Sequence, residues 1–239
     1  MTRVPIDVSN TLVIVPAFNE SQNIVRVIND LKSYQYNFVI VNDASIDDTA
    51  NLVRSNLATL LDLPINLGVG GALRTGFQYA VKYGYEAVVQ VDADGQHPVS
   101  HISDLINAAN LTNADMIIGS RFLNGLPVMR LSSTRRIAMR LLALSASRAS
   151  RCKITDSTSG FRLIRNPLLK KFSHRFSSNY LGDTYEAIVS SGRSGFKISE
   201  ISAPIIDRQN GLSSSSTTQA ARQTIKVVLI SLLHLHIKY

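Results

Sequence analysis

Short apolar runs alternate with stretches of helical periodicity over the first 120 residues of the chain. The apolar runs predict strands that are buried on both faces, at residues 12–15, 38–41, 87–91 and 116–118, with a shorter strand at 65–67. Apolar positions three or four residues apart predict helices over residues 24–31, 49–61, 70–83 and 99–109. This alternation predicts an α/β fold: a Rossmann-like, mostly parallel sheet that is flanked by helices on both faces.

The pattern changes after Ser120. Residues 129–150 have the pattern of a basic amphipathic helix, 160–164 of a strand, 185–191 of a helix and 197–204 of an extended segment. Four consecutive serines at 213–216 predict a loop, and residues 217–239 predict a C-terminal amphipathic helix. No internal repeat or second apolar core is evident, so we expect one domain over residues 1–216 followed by that helix.

The amino-acid composition indicates in which cellular compartment the protein works and whether it spans a membrane. With 45% apolar residues, 239 residues can bury one substantial core. The single Cys152 excludes an intramolecular disulfide and a thiolate zinc cluster, and fits a reducing cytoplasmic setting. The first ten residues lack the apolar core of a secretory signal, and no segment has the ~18 apolar residues that a membrane span needs. The expectation is a chain that does not span a membrane.

The net charge of +8 is unevenly distributed. Residues 1–120 carry 6 Lys and Arg against 12 Asp and Glu, whereas residues 121–171 carry 12 Lys and Arg against the single acid Asp156. Such a basic segment suits nucleic acid, but it suits phosphorylated lipids and anionic headgroups equally well. The segment has only Phe122 and Phe161 as aromatic residues for stacking on bases, which disfavours a nucleic-acid-binding protein.

The strongest chemical signal follows the strand predicted at residues 87–91. Asp92 and Asp94 stand two residues apart, so on an extended strand their side chains would point the same way. Two such carboxylates repel each other unless a cation lies between them, and Mg²⁺ or Mn²⁺ with substrate phosphates is the natural occupant. The alternative is a polar turn followed by a helix cap at Ser100.

Polar clusters also follow the first two predicted strands. The first strand continues into Pro16, Ala17, Phe18, Asn19 and Glu20, and the second into the segment 42–49, in which Asp43 could bind a nucleobase or ribose. The alternative is helix capping, by Asn19 or Ser21 for the first helix and by Asp47 or Asp48 for the next.

A glycine-rich segment opens the helix predicted at residues 70–83. Gly68, Gly71 and Arg74 could approach donor phosphates there, because backbone amides at a helix start favour anions. The segment is neither a dinucleotide-binding motif, because Leu73 replaces its last glycine, nor a P-loop, because Phe77 stands where lysine is required. A turn that serves only packing is the alternative.

In this order the motifs resemble the family 2 glycosyltransferases of the GT-A fold, and most of all the polyprenyl- or dolichyl-phosphate sugar synthases and their soluble bacterial relatives. The resemblance extends from residue 12 to about 215 and rests on VPAFNE, VNDASIDDT, NLGVGGALRTG, VQVDADGQHP, IIGSRF, DSTSGFR and RQNGLSS. It implies an inverting, metal-dependent enzyme that uses a UDP- or GDP-sugar donor and a lipid-linked phosphate acceptor.

The resemblance also implies roles for single residues. The base and ribose would be held by Pro16, Ala17, Asn19, Glu20 and Asp43. The metal and diphosphate would be held by Asp92, Asp94 and Gln96, with Ala93 between them. The acceptor side would be built by Arg121, Arg135 or Arg136, and Asp156. Glu186 matches a glutamate of the bacterial relatives, and Arg208 lies in a loop that could close over the diphosphate.

Three positions depart from the family pattern. Ala44 and Asp48 stand where glycines are usual, and Met139 replaces a serine that helps some synthases bind phosphate. These departures affect base preference and acceptor placement. A saccharide acceptor is the alternative, and it would require a protein base, for which Glu186 and Asp183 are the candidates.

The two basic amphipathic helices suggest where the protein works. Each combines Lys and Arg with aliphatic residues, as helices in a headgroup interface do. We therefore expect peripheral binding at the inner face of the membrane, directly or through a separate membrane protein. The alternatives are helices that pack on the domain or form a homodimer contact.

Overall fold

The computed structural model describes residues 3–123, 133–176 and 182–204. The strands are β1 (Thr11–Ala17), β2 (Asn37–Asn42), β3 (Leu60–Asp62), β4 (Ala87–Gln90), β5 (Met116–Ser120), β6 (Arg162–Arg165) and β7 (Ile198–Ser202). The helices are α1 (Ile24–Ser33), α2 (Thr49–Ser55), α3 (Gly68–Lys82), α4 (Ile102–Thr112), α5 (Ser133–Ser150), α6 (Leu168–His174) and α7 (Ala187–Arg193). A 3₁₀ turn, Val99–His101, precedes α4, and a π-helical turn, Gly182–Glu186, precedes α7.

The seven strands form one sheet in the order β3-β2-β1-β4-β6-β5-β7. Six strands are parallel to one another, and β6 runs antiparallel to both of its neighbours, β4 and β5. The carboxyl ends of β1, β2, β4 and β5 and the amino end of β6 therefore lie along one edge of the sheet. The predicted α/β fold with a mostly parallel sheet is confirmed.

Helices cover both faces of the sheet because the strand side chains alternate between two cores. Val13 and Val15 of β1 join a core with α1, α2 and α4, whereas Leu12 and Ile14 join a second core with α3, α5, α6 and α7. On the second face α3 packs so closely that a Cβ atom on Gly76 would lie 2.5 Å from the Ile14 side chain. Only glycine allows this approach.

Two predictions around the third strand are wrong. The helix predicted to reach residue 61 ends at Ser55, and the strand predicted at residues 65–67 is not one. Leu57 has a left-handed backbone (φ 51°), which ends helical geometry, and Leu60–Asp62 then pairs in parallel with β2. The apolar pair at residues 60 and 61 fits a helix or a strand equally well, and pairing with β2 decides between them.

The remaining elements follow the sequence pattern, with α6 as an addition that the pattern did not indicate. None of the helices within the described ranges is long and apolar enough to cross a membrane. The first part of the helix predicted at 129–150, the serine loop at 213–216, the domain end at 216 and the terminal helix at 217–239 lie outside the described residues.

Candidate active site

The loops after β1 and β2 hold each other at the carboxyl edge of the sheet. The backbone N–H of Asn19 donates to the Ser45 hydroxyl at 2.9 Å, and the Asn19 side-chain oxygen accepts from the backbone of Ile46 at 2.9 Å. Asp47 accepts from the backbone N–H groups of Ser21 and Thr49. The alternative of helix capping by Asn19 or Ser21 does not hold, because α1 is preceded by Asn23 at its N-cap, whereas Asn19 and Ser21 join the two loops.

Asp43 lies at the centre of this region and is buried. Its backbone N–H donates to Ala17 at 2.9 Å, and its carboxylate accepts from the backbone N–H of Leu67 at 2.7 Å. Asn66 donates to the Asp43 carbonyl at 3.1 Å. Asp43 thus connects the ends of β1 and β2 to the segment that begins α3. The next residue, Ala44, has a left-handed backbone (φ 57°), which explains why glycine is usual there.

Asp92 lies two residues after the end of β4 and is held by His97. The backbone N–H of Asp92 donates to His97 Nδ1 at 3.1 Å, and His97 Nε2 lies 3.6 Å from Asp92 Oδ2. The His97 ring is buried beside Phe161, with 5.2 Å between ring centroids. His97 was part of a quoted motif but had no predicted role; the structure shows that it positions the Asp92 loop.

Asp94 occupies a turn, because β4 ends at Gln90 rather than continuing to the acidic pair. The premise that both carboxylates lie on an extended strand was therefore wrong. Gln96 donates its backbone N–H to Asp94 Oδ1 at 3.0 Å, and Arg26 of α1 donates to the Asp94 carbonyl at 3.2 Å. Gly95 has φ 72°, and a Cβ atom there would overlap the Arg26 guanidinium, so this turn requires glycine.

The residues at this turn suit a hard divalent cation that shares its ligands with a substrate. The Asp92 side chain is 40% exposed, and a Cβ atom on Gly160 would lie only 3.1 and 3.2 Å from its two oxygens, so glycine leaves the space beside the carboxylate open. Across the three described ranges, no group of three or more His, Cys, Asp or Glu side chains is arranged to hold a metal ion. A cation here would need oxygen ligands from a bound diphosphate and from water.

Arg121, which follows β5, forms a bidentate ion pair with Asp156. Arg121 Nε and Nη2 donate to the two Asp156 oxygens at 2.6 and 2.7 Å, and Nη2 also donates to the Thr158 hydroxyl at 2.5 Å. Burial alone would raise the pKa of Asp156, but the hydrogen bond and charge of Arg121 outweigh burial and hold it below its ordinary value. The structure therefore brings together two residues that the sequence assigned separately to the acceptor side.

Glu200 of β7 holds the loop that carries Asp156. Its carboxylate accepts from the backbone N–H groups of Thr155, at 2.8 and 2.9 Å, and of Asp156, at 3.0 Å. The Thr155 hydroxyl donates to Glu200 at 2.7 Å and also contacts the Ser120 hydroxyl at 2.7 Å. Glu200 was missed because nothing along the sequence links it to a loop that begins 45 residues earlier.

A buried cation lies beneath the acidic turn. Arg162 is 1% exposed; its Nε donates to Ser159 at 2.7 Å, and its Nη1 donates to the carbonyls of Asp183 and Thr184 at 3.2 and 3.1 Å. Its Nη2 has no hydrogen-bond partner among the described residues. Burial lowers the pKa of Arg162 to about 10, against the opposing charges of Asp183, Asp156 and Asp92. Arg162 is therefore charged at neutral pH and partly neutralises the acidic edge.

Asp183 is the buried carboxylic acid next to this cation. Burial raises its pKa to about 6, with a further contribution from the charge of Asp92, although the charge of Arg162 acts in the opposite direction. Among the two base candidates, Asp183 is buried and Glu186 is exposed. Asp183 and Glu186 thus differ in solvent exposure although they stand only three residues apart.

Replacing Asp183 by Asn is expected to change how stability depends on pH. The folded pKa of about 6 lies above the ordinary value of 3.8, so the contribution of Asp183 is fully present below pH 3.8 and is lost as the pH rises to about 6. A shift of this size corresponds to about 3 kcal/mol. In denaturant unfolding between pH 4 and 7, the free energy of unfolding of the wild type minus that of the variant should fall by up to about this amount.

Asp30→Asn, at an exposed position of α1, is the matched control for that series. Its difference from the wild type should stay constant over the same pH range. A wild-type minus Asp183→Asn difference that also stays constant would contradict the raised pKa.

The glycine-rich segment begins α3 and serves packing at two positions. A Cβ atom on Gly71 would lie 2.4 Å from the Leu67 side chain, and Gly76 contacts Ile14 as described above. Gly68 has φ 75° and donates its backbone N–H to the Asn66 side chain at 3.1 Å. Arg74 is exposed on α3. The packing alternative therefore accounts for Gly71, while the roles of Gly68 and Arg74 toward a donor stay predictions.

Comparison with known proteins identifies the family. The model of the family described as "Glycosyl transferase family 2" matches residues 12–173, more than half of the chain. The chain is a family 2 glycosyltransferase. That match covers the acidic turn, the Arg121–Asp156 pair and β6, and it confirms the resemblance predicted from the motifs.

Two relatives of this glycosyltransferase have names that specify a polyprenol or a dolichyl phosphate. The polyprenol monophosphomannose synthase of Mycolicibacterium smegmatis is 29% identical over 231 residues, covering 91% of this chain and 85% of the relative. The UDP-N-acetylglucosamine–dolichyl-phosphate N-acetylglucosaminyltransferase of Methanococcus voltae is 27% identical over 206 residues, covering 79% and 82%.

A solved structure shows the same fold. Glucosyl-3-phosphoglycerate synthase from Mycobacterium tuberculosis, crystallised with Mg²⁺ and UDP, superposes with a TM-score of 0.71 at 19% identity, covering 94% of this chain and 78% of that one. The glycosyltransferase therefore has the GT-A fold.

Three predicted site residues remain partly or wholly undescribed. Arg135 and Arg136 belong to the first turn of α5, but their side chains lie outside the described part of the transferase. Arg208 lies beyond residue 204 and is likewise outside it. Their assignments to the acceptor phosphate and to a closing loop remain predictions.

Proposed function

We propose that this glycosyltransferase is metal-dependent and inverting, and that it moves a sugar from a UDP- or GDP-sugar to a polyprenyl or dolichyl phosphate at a membrane surface. The observation that carries the proposal is the acidic turn after β4. There the Asp92 carboxylate is partly exposed, and Gly160 leaves the space beside it open. The names of the relatives from M. smegmatis and M. voltae support the class of acceptor.

The donor would bind across the carboxyl ends of β1, β2 and β4. Asp43, at the end of β2, would take the base or ribose, and the loop Pro16–Glu20 would line the same side, with Ala17 and Asn19 held by the second loop. Ligands in open α/β sheets bind beyond the carboxyl ends of the strands, which agrees with this placement. The mycobacterial synthase of the same fold was crystallised with UDP, which supports a nucleotide donor.

Asp92 and Asp94, with Gln96 beside them, would hold Mg²⁺ or Mn²⁺ together with the donor diphosphate. The bound cation supplies Lewis-acid stabilisation of the negative charge on the leaving nucleoside diphosphate. His97 keeps the backbone of Asp92 in place, and Arg26 fixes the turn at Asp94, so the carboxylates are oriented before substrate binds. Such preorganisation is what makes electrostatic stabilisation effective.

The acceptor phosphate would bind beside Arg121. A phosphate monoester is largely ionised at neutral pH, so its oxygen is a nucleophile without a protein base. Asp156 and Thr158 hold the Arg121 guanidinium through Nε and Nη2, which fixes its orientation toward the edge of the sheet. Arg135 or Arg136, at the start of α5, would add to the positive charge. Positioning and charge neutralisation then supply the catalysis.

A lipid-linked acceptor requires the protein to reach a bilayer, and α5 has a suitable face. Ile137, Leu141 and Leu144 lie at helical spacing and are 58%, 50% and 62% exposed, with the exposed Arg140 beside them. Aliphatic residues flanked by arginine are typical of helices that lie in a headgroup interface. We place the enzyme at the inner face of the membrane as a peripheral protein.

One observation favours a second acceptor class. The pKa of Asp183 is raised to about 6 by burial, and a carboxyl with such a pKa can accept a proton at neutral pH as a general base. A saccharide hydroxyl needs such a base, whereas a phosphate does not. The second candidate is therefore transfer to a saccharide, with Asp183 as the base.

One assay distinguishes the two acceptors. The full-length protein is incubated with UDP- or GDP-linked glucose, mannose or N-acetylglucosamine, and with a polyprenyl phosphate or an oligosaccharide, in Mg²⁺, Mn²⁺ or chelator. We expect a sugar–polyprenyl phosphate product that requires the cation, with inversion at the anomeric carbon. Transfer to the oligosaccharide alone would replace the proposal by the second candidate, and equal transfer in chelator would refute the metal dependence.

A further inference from the structure

A basic cleft lies between the carboxyl ends of α5 and α7, apart from the acidic turn. Its volume is about 530 Å³, and Arg148, Arg151 and Arg193 line it together with Cys152 and Phe196. A Cβ atom on Gly192 would lie 2.3 Å from the Ser150 backbone, so the two helix ends are in direct contact there. All three arginines are exposed, and none of the described residues that line the cleft is Asp or Glu.

The arginines of the cleft carry more positive charge than is needed to balance the partial negative charges at the two helix ends. The carboxyl end of a helix carries roughly half a negative charge, so two ends contribute about one negative charge, which the guanidinium groups of Arg148 and Arg151 already exceed without Arg193. Behind Phe196, the Lys171 ammonium lies 5.6 Å from the ring centroid and adds a further cation. The net positive charge therefore favours an anionic ligand, and guanidinium groups are suited to the oxygens of a phosphate.

The cleft lies at the opposite edge of the sheet from Asp92. Phe196 comes just before β7, and Ile198 at the start of β7 pairs with Met116 at the start of β5. These amino ends face away from the edge that carries the acidic turn. The arginines of the cleft are therefore not part of the donor site.

The cleft continues the exposed apolar face of α5. Arg148 follows Leu144 by four residues and Leu141 by seven, so the three side chains lie along one side of the helix. The helix has 18 residues and is about 27 Å long, and its carboxyl end lines the cleft. A flat anionic surface could contact the aliphatic residues and the arginines together.

We infer that the cleft binds the phosphate of an anionic phospholipid headgroup and so anchors α5 to anionic membranes. The inference rests on the proposed membrane-surface function and adds a lipid preference to it. The aliphatic face of α5 would enter the headgroup region, while Arg148, Arg151 and Arg193 would bind a lipid phosphate. Zwitterionic bilayers would then hold the protein much less well than anionic ones.

Vesicle flotation of the full-length protein tests the inference. The vesicles are phosphatidylcholine alone, or phosphatidylcholine with 30 mol% phosphatidylglycerol. Removing two of the arginines with Arg148→Gln/Arg193→Gln should weaken partitioning onto the anionic vesicles about 30-fold, because each basic residue near such a surface contributes about fivefold. The matched control Lys32→Gln/Lys82→Gln removes the same charge from exposed helix ends elsewhere and should change partitioning less than about 3-fold.

The outcomes separate the lipid from other sources of phosphate and from the enzyme activity. Equal losses in both double variants would mean nonspecific attraction and overturn the inference, as would wild-type partitioning that is the same on both kinds of vesicle. Calorimetric binding of inorganic phosphate that needs Arg148 and Arg193, without any change in flotation, would assign the cleft to a free phosphate and also overturn it.

Transfer to a short-chain, water-soluble polyprenyl phosphate should be unchanged in Arg148→Gln/Arg193→Gln. Absence of that transfer in the wild type would refute the proposed function and leave the flotation result standing.

Discussion

Replacing Asp94 by Asn is expected to lower the turnover of sugar transfer about 10³-fold. Asparagine keeps the side-chain oxygen that accepts the Gln96 N–H at 3.0 Å, so the turn after β4 should persist. The variant loses one negative charge that would bind the cation, and the cation would in turn bind the donor diphosphate. The measurement is the initial rate of transfer to polyprenyl phosphate, with the donor saturating, at several concentrations of Mn²⁺.

Asp104→Asn is the matched control, because it neutralises a carboxylate at an exposed position of α4, where Asp104 pairs with His101. Its turnover should remain within about twofold of the wild type, as substitutions on an exposed surface usually have small effects. An Asp94→Asn variant with near wild-type turnover would remove the metal assignment from this turn. A similar loss in the control would show that the effect is not specific to the acidic turn.

Replacing Arg121 by Met is expected to lower the free energy of unfolding by about 3–5 kcal/mol at pH 7. The Asp156 side chain is fully buried and Arg121 is 24% exposed, so the variant leaves a buried carboxylate without its cation. Arg121→Lys should recover only part of the loss, because lysine restores the charge but not the two parallel hydrogen bonds. Denaturant unfolding of the three proteins measures the difference.

The direction of the pH dependence follows from the lowered pKa of Asp156. A depressed folded pKa contributes stability that is present above the unfolded pKa of about 3.8 and is lost as the pH falls through the folded value. The deficit of Arg121→Met should therefore be greatest at neutral pH and should shrink below about pH 4.

Arg54→Met provides the comparison within the same chain. Arg54 and Asp62 also form an ion pair, but their side chains are 54% and 38% exposed, so the loss should be about 1 kcal/mol or less. If the two arginine-to-methionine substitutions had equal effects, burial would not be what makes the Arg121–Asp156 pair important. An Arg121→Met deficit that does not change with pH would equally contradict the charged state of Asp156.

Much of the fold could be predicted because apolar periodicity reflects burial. The runs at 12–15 and 38–41 are apolar at every position, which is what a strand with both faces covered requires, and both are strands of the sheet. Residues 60 and 61 were predicted as helix and residues 65–67 as a strand; both predictions were wrong, because such short apolar segments show no periodicity that would distinguish a helix from a strand. Whether residues 60 and 61 extend α2 or pair with β2 depends on Leu57, whose left-handed backbone ends the helix.

The candidate site was predictable where its residues follow strands directly. Asp43 and Asp92 come just after β2 and β4, so the rule that parallel strands end at one edge placed them together. His97, Arg162 and Glu200 were missed as functional residues, since each acts on a partner through the fold rather than through a local motif.

By itself the sequence determined the alternation of strands and helices, the parallel character of the sheet and the edge at which the acidic residues gather. These follow from local properties: hydrophobic period, turn residues and chain direction. Only the tertiary structure decided which charges are paired and which are buried. Arg121 engages Asp156, Arg162 lies beneath the acidic turn, and Asp183 has a pKa of about 6. The physical reason is that desolvation and Coulomb interactions depend on distances through space, which residues far apart in the chain acquire only on folding.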